Sequence, residues 1–389
     1  MIIINVLDLP TKFYISPVPP HWYPIFINKH YFKQLGLSFK FFTKISEKLY
    51  ECDSLFISSR YFHLEKHRNS EKIHKLETLR QLREHIKKIV WFDLRDSTGN
   101  TQFEVLPYVS RYLKKQILKD WTSYQKKLSG NRIYTQYFHE KFNIYDNYDE
   151  QFIPLRSEER TKIGISWNLG LCDHRNGGKL TRLWNLGRDR IERLFCLQHR
   201  MPWISHQETR DINLLALFRT EYERKTISFQ RMQALHLLKQ IQDEKIWVGQ
   251  KITVRKYQDA LARSKIVLSL FGWGEICHRD FEAFNSGAAL LMPDVSHLLS
   301  WPELHVPFLT YWPIQWDLSD LVESYNFLLS NEKKRIEIAK EGQEQYKKLW
   351  TNEGRQKFCI RLKDFIVDVI KNDGIPRVNA PYLREVNDK

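Results

Sequence analysis

The chain has 389 residues, with 61 Lys and Arg against 46 Asp and Glu, for a formal net charge of +15. Apolar residues at 42% and aromatic residues at 14% exceed what a disordered, highly charged chain carries, so most of the sequence folds. The length exceeds the usual size of one hydrophobic core, which predicts two domains, and the positive excess favours polyanionic partners: nucleic acid, phosphorylated small molecules or an anionic membrane face.

Five cysteines, at 52, 172, 196, 277 and 359, lie far apart with no C-x-x-C pair. That argues against a zinc ribbon, a redox dithiol or a secreted disulfide framework, and for a cytoplasmic protein. The opening "MIIINVLDLP" has no basic leader, and Asp8 and Pro10 cut its apolar run too short for a signal peptide or a membrane span, so any membrane contact is expected to be peripheral.

In chain order, strand-like runs alternate with amphipathic stretches: "KFYISPV" (12–18), a helical piece near 24–35, "LSFKFF" (37–42) and "DSLFISSRYF" (53–62). Such alternation marks βαβ units. Between 68 and 88, Ile73, Leu76, Leu79, Leu82 and Ile86 recur at three and four, predicting a helix with one face on a sheet. "KIVWFDLRDSTG" (88–99) reads as a buried strand running into an acidic loop, the kind of strand end where ligands sit in open α/β sheets. Residues 107–160 show no clear period and read as helix and loop, with a domain boundary near 155.

A second α/β series starts at "KIGISWNLG" (162–170) and runs through "DINLLALFRT" (211–220), a helix at 228–241, "YQDALARS" (257–264), "KIVLSLFGWG" (265–274) and "AALLMP" (288–293). Two charged helices close the chain, with a polar tail after 371. The expected organisation is an acceptor domain at 1–155, a nucleotide-sugar domain at 156–353 and, at 354–389, a helix and tail packing back toward the first domain.

The segment "GWGEICHRDFEAFNSGAALLMPD" (272–294) carries the densest chemistry. Gly272 and Gly274 let the backbone turn closely after a buried strand, and a helix follows. If it begins near Glu275, then Cys277, Phe281 and Phe284 bury one stripe, while His278, Glu282 and Asn285 share another face. The positive end of the helix, with His278 and Arg279, suits a diphosphate, and Glu282 one turn on can accept hydrogen bonds from two sugar hydroxyls. Gly287 ends the helix. The same residues also fit a surface Arg279–Glu282 ion pair beside an ordinary glycine turn.

This segment resembles the C-terminal half of GT-B glycosyltransferases, in family 1 and exostosin-like patterns where "G-x-G-E", "R-x-x-E-A" and a small-residue glycine precede an apolar strand. The matching residues are Gly272, Gly274, Glu275, Arg279, Glu282, Ala283 and Gly287. The resemblance implies two doubly wound Rossmann-like domains and transfer of a sugar from a nucleotide-diphosphate donor. By it, Glu282 holds the ribose, Gly274 and Glu275 line the sugar and phosphates, and Arg219 and Lys225 of "FRTEYERK" reach the diphosphate. One departure is the spacing of the glutamates: the family pattern puts seven residues between two of them, whereas Glu275 and Glu282 have six between them.

Asp93 and Asp96 follow a buried strand and are candidates for the general base on an acceptor hydroxyl in an inverting transfer; capping or turn roles are the alternative. Their D-x-x-D spacing differs from the D-x-D of metal-dependent sugar transferases, so no required metal and no cofactor beyond the nucleotide sugar are expected. "SWNLGLCDHRNGGK" (166–179) reads as a flexible loop near donor or acceptor. The expected acceptor is a carbohydrate or lipid-linked glycan. The rival reading is a basic nucleic-acid-binding protein, and a binding-only relative is a third; nucleic acid is not expected as a partner, because the Lys and Arg are spread along the whole chain and the aromatics sit in apolar, core-like runs.

Overall fold

The structure is a computed structural model that describes residues 1–11, 16, 18–64, 69–146, 152–173, 203–249 and 252–372. Its first strand is the apolar opening run itself, β1 (Ile2–Leu7), buried from Ile4 onward. The strand expected at 12–18 falls mostly outside the described residues. β2 (Leu37–Phe42), β3 (Ser54–Ser58), β4 (Ile89–Asp93), β5 (Arg111–Lys114), β6 (Gln116–Leu118) and β7 (Ile163–Ile165) follow, with α1 (Tyr23–Ile27), α2 (Lys29–Gln34), α3 (Ser59–Phe62), α4 (Asn69–His85) and α5 (Ile133–Phe142) among them.

Six of these strands form one parallel sheet in the order β2-β1-β3-β4-β5-β7. Two expectations are corrected here. The stretch read as helix and loop contains β5 and β6, and the strand at 163–165, assigned from sequence to the second series, pairs with β5 and closes the first sheet. β5 was hidden because Arg111 and Lys114 interrupt its apolar pattern; both are buried, and each finds a distant carboxylate, Asp368 and Asp93 respectively, at 3.1 Å.

The second lobe holds β8 (Ile212–Leu217), β9 (Ile246–Gly249), β10 (Ser264–Leu268), β11 (Ala289–Pro293), β12 (Leu298–Ser300) and β13 (Trp312–Ile314). Its helices are α6 (Lys225–Lys239), α7 (Val254–Arg263), α8 (His278–Ser286), α9 (Leu321–Ser330), α10 (Glu332–Leu349) and α11 (Asn352–Lys371). Five strands make a parallel sheet in the order β13-β11-β10-β8-β9, the same winding as the first sheet read from its other end. Parallel strands with helices between them require both faces to be covered, which explains why every residue of β8 and β11 is buried. The expected fold class, two doubly wound α/β lobes, is the one observed.

The lobes are tightly joined. β6 of the first pairs antiparallel with β12 of the second, Leu118 opposite Leu298. One hydrophobic cluster runs from Trp91, Tyr112 and Tyr134 to Phe271, Phe281 and Tyr346 across both lobes. α11 returns to the first lobe, where Phe358, Leu362, Phe365 and Ile366 pack with Ile4, Trp22 and Phe32, and the Arg355 side chain donates to Asn28 Oδ1 at 2.8 Å.

Candidate active site

In an open sheet wound in both directions, the crevice lies where the strand order reverses, outside the carboxyl ends of the strands. In the second lobe that reversal falls between β8 and β10. The chain leaving β10 is the "LFGWGEIC" turn, and α8 starts at its far side. α8 begins at His278, three residues later than the sequence spacing placed it: Cys277 is still extended (φ −117, ψ 164), and its N–H donates to Asp280 Oδ2 at 2.9 Å. Asp280 is fully buried, also accepting from Ser269 at 2.5 Å and standing 3.2 Å from His305 Nε2. This carboxylate in the first turn already offsets part of the helix dipole, so side chains carry more of any anion binding than the bare helix end.

Phe281 and Phe284 are buried, His278 and Glu282 open, and Gly287 closes the helix at φ +68, a left-handed position where a side chain would also strike the Ile204 carbonyl at 2.7 Å. Arg279 does not make a surface ion pair. Its guanidinium donates to the carbonyl of Leu217, the last residue of β8, which pins it to the strand end at the reversal point. Glu282 is open to solvent yet walled by protein on most sides, the situation of a group in a concave cleft. Those walls raise its carboxyl pKa, against the lowering effect of Tyr257, whose hydroxyl donates to Oε2 at 2.6 Å, and of the Arg279 charge.

The first lobe meets this point with the loop after β4. Gly274 packs so closely on it that a Cβ there would lie 2.0 Å from the Asp96 carbonyl oxygen. The expected reason for this glycine was room for a ligand; the structure shows that contact between the lobes already requires it. Asp96 has a half-exposed carboxylate, 2.7 Å from the buried ammonium of Lys115. Burial pushes its pKa up, but Lys115 and His278 together bring it below the ordinary value. His278, for its part, is lowered by burial and by Lys115 against the opposing charge of Asp96. Asp96, Lys115 and His278 therefore form one cluster across the cleft.

Two predicted residues are placed elsewhere. Asp93 is fully buried, bonded by Arg95 at 3.2 Å, by Lys114 at 3.1 Å and by the Tyr112 hydroxyl. Burial would raise its carboxyl, but Arg95 and Lys114 overcome this and hold it well below the usual carboxylate range. No acceptor hydroxyl reaches such a group, so the general-base role expected of it is withdrawn. Glu275, 1% exposed, accepts from Thr98 Oγ1 at 2.6 Å and Thr98 N at 3.2 Å, so its carboxylate ties the lobes together and does not line the open cleft.

Arg219 and Lys225 are both exposed, Arg219 just past β8 with its guanidinium 5.4 Å from the Tyr222 ring centre, Lys225 at the first position of α6. Gly272 sits in the turn, its N–H donating to the Gly274 carbonyl at 3.1 Å. Of the loop at 166–179, residues 174–179 lie outside the described residues. Sequence reasoning missed Lys115, Tyr257 and the pair Asp8–Arg60 (3.2 Å), which stands where the first sheet reverses, after β1 and β3. Among the described residues no group of three or more His, Cys, Asp or Glu is arranged to hold a metal, and no helix is long and apolar enough to cross a membrane.

Residues 225–361, which include Gly272, Gly274 and α8, match the family model described as glycosyl transferase-like. No curated protein matches the chain in sequence. Among solved structures it is similar to Alr3699/HepE of Anabaena in complex with UDP-glucose, at 10% identity over 93% of this chain and 99% of that one, with a TM-score of 0.41. It is similar also to MnaA of S. aureus with UDP (8% identity, 96% and 98% covered, TM-score 0.41) and to a DNA-modifying beta-glucosyltransferase studied with and without uridine diphosphoglucose (12%, 95% and 100%, 0.42). The match falls on the lobe that carries the crevice: residues 225–361 are glycosyl transferase-like in sequence, within a chain of two doubly wound α/β lobes.

Proposed function

We propose that the chain moves a sugar from a nucleotide-diphosphate donor, bound at the β8/β10 reversal, to an acceptor hydroxyl presented by the first lobe. The observation that carries this reading is the meeting at one cleft of Arg279, His278 and the open Glu282 from α8 with Asp96 and Lys115 from the facing lobe. Arg279, fixed by the Leu217 carbonyl, and His278 take the diphosphate; the exposed Arg219 and Lys225 add charge as it departs. Glu282, oriented by Tyr257, accepts from two ribose hydroxyls. Asp96, kept ionised by Lys115, takes the proton of the acceptor hydroxyl as that oxygen attacks the anomeric carbon and the diphosphate leaves with the bonding pair. The gain comes from positioning and from cations stabilising the leaving group.

The acceptor in this reading is a carbohydrate or lipid-linked glycan, reached by contact of the basic surface with an anionic membrane. Flotation on liposomes that does not depend on anionic lipid would remove that part. The donor assignment is tested by thermal shift with UDP, GDP and ADP. At least one raises the wild-type Tm, while Glu282→Ala and Arg279→Ala keep the unliganded Tm and bind about 10- to 100-fold more weakly, the loss of one charge-assisted hydrogen bond. Equal nucleotide shifts in both variants and the wild type refute it.

A further inference from the structure

Beyond the cleft, an open cavity of about 620 Å³ lies at the carboxyl ends of β11 and β13, within the roughly 300–1,000 Å³ typical of small-ligand sites. Its walls are aromatic. Phe308 is 53% and Phe327 39% exposed; the Trp312 ring stacks on Phe327 at 4.8 Å and meets Phe308 edge-on at 5.1 Å. Phe308 holds φ +60, an uncommon value for a bulky side chain.

The charged groups of the lining are all acidic. Asp294, Asp320 and Glu323 contribute carboxylates and no Lys or Arg contributes at all, in a chain with 61 basic residues. Glu323 has no partner among the described residues and one oxygen of Asp320 is taken by the Gln315 N–H at 2.9 Å, whereas both oxygens of Asp294 already accept from Ser296 and Tyr311, so Glu323 and Asp320 are the acceptors left to a ligand. Lys141, which donates to the hydroxyl of Tyr137 in the cavity wall at 3.2 Å, is already paired with Asp317. Such a lining repels phosphates and polyanionic glycans. It suits a ring with apolar C–H faces and outward hydroxyls, because flat aromatic surfaces take the faces and carboxylates accept from the hydroxyls.

The cavity also adjoins the proposed chemistry. Trp316, in its wall, packs on Phe271 of the glycine turn at 5.9 Å and on Tyr137 of the first lobe at 5.4 Å. We propose that this cavity is a saccharide subsite that holds an uncharged sugar unit of the acceptor away from the bond being formed. That the sugar belongs to an acceptor rests on the glycosyl-transfer reading; that the ligand is a sugar rests on the cavity alone.

The test is titration of the full chain with maltohexaose, cellohexaose and chitohexaose at up to millimolar concentration, followed by tryptophan fluorescence and calorimetry, with heparin hexasaccharide and tetramethylammonium as contrasting probes. At least one neutral hexasaccharide binds, heparin hexasaccharide does not compete, Trp312→Ala weakens binding at least tenfold and Glu323→Gln severalfold. Glu323 is on the surface, so Glu323→Gln reports even if Trp312→Ala disturbs folding. Absence of binding by all three neutral probes, binding unchanged in both variants, or binding of tetramethylammonium alone overturns the proposal. The nucleotide thermal shift, measured in parallel, is retained in Glu323→Gln; its absence in the wild type would count against glycosyl transfer and leave the sugar titration to stand or fall separately.

Discussion

Asp93→Asn separates a structural carboxylate from a catalytic one. In the wild type Asp93 and Lys114 are 1% exposed or less and 3.1 Å apart, with Arg95 and Tyr112 completing the shell. Removing the charge of Asp93 leaves Lys114 buried with only neutral acceptors, such as the Asn100 carbonyl 2.8 Å away, and no counter-charge. Breaking one side of a buried pair costs about 3–5 kcal/mol, and at about 2–4 °C per kcal/mol the melting temperature falls by roughly 6–20 °C. Lys114 is already pushed down to about 8 by burial, despite the attraction of Asp93. Without that attraction it falls further, sheds its proton more readily, and caps the cost. The deficit of Asp93→Asn relative to wild type therefore shrinks between pH 7 and pH 9. Replacing both partners, as Asp93→Asn with Lys114→Met, recovers part of the stability, because the buried ammonium is gone while Arg95 still lacks its carboxylate. The measurements are urea and thermal unfolding at both pH values, alongside turnover of the nucleotide sugar. A variant with wild-type stability and turnover reduced by orders of magnitude would refute the structural role and return Asp93 to the chemistry.

Asp96→Asn keeps nucleotide binding but lowers kcat by about 10²- to 10⁴-fold, the usual worth of a general base, in a coupled assay of diphosphate release; an unchanged kcat excludes Asp96 as the base. Gly274→Ala drives a methyl group into the Asp96 carbonyl, so the lobes must separate locally at a cost of about 1–3 kcal/mol. Small-angle scattering and melting curves identical to wild type would show that the contact is not maintained. His278 is held below its ordinary 6.5 by burial and Lys115. Its folded pKa is thus depressed, the unfolded chain binds the proton more readily, and its contribution to stability declines as pH falls below about 6.5. A bound diphosphate reverses the local field, so nucleotide affinity rises from pH 7.5 to 6 more steeply in wild type than in His278→Gln, a comparison that cancels the titration of the phosphate itself. Parallel slopes by calorimetry would place His278 outside the diphosphate site.

The alternation of elements and the strand–glycine–helix turn were readable because both are local: apolar runs of strand length, a turn that needs glycine, a helix stripe at three and four. What escaped is non-local. β5 is disguised by Arg111 and Lys114, whose charges are answered 257 and 21 residues away. Glu275 has the sequence position of a donor ligand, but its partner Thr98 is 177 residues distant, and no spacing rule reports that. Asp93 and Asp96 look alike in "FDLRDS"; only Lys114 at the end of β5 and Lys115 just after it, one for each carboxylate, decide which is sealed and which is open. Tyr257 sits in an ordinary amphipathic helix and acquires a role only when α7 lies beside Glu282.

The short ribbon of β6 and β12 has a practical consequence for anyone exchanging parts of this enzyme. Each lobe lends the other a strand, so a cut between them would leave two raw backbone edges and two uncovered apolar surfaces, both prone to stick. A graft intended to change donor preference has to carry Leu298–Ser300 with its matching partner Gln116–Leu118, or the recombined protein is expected to precipitate before its specificity can be measured.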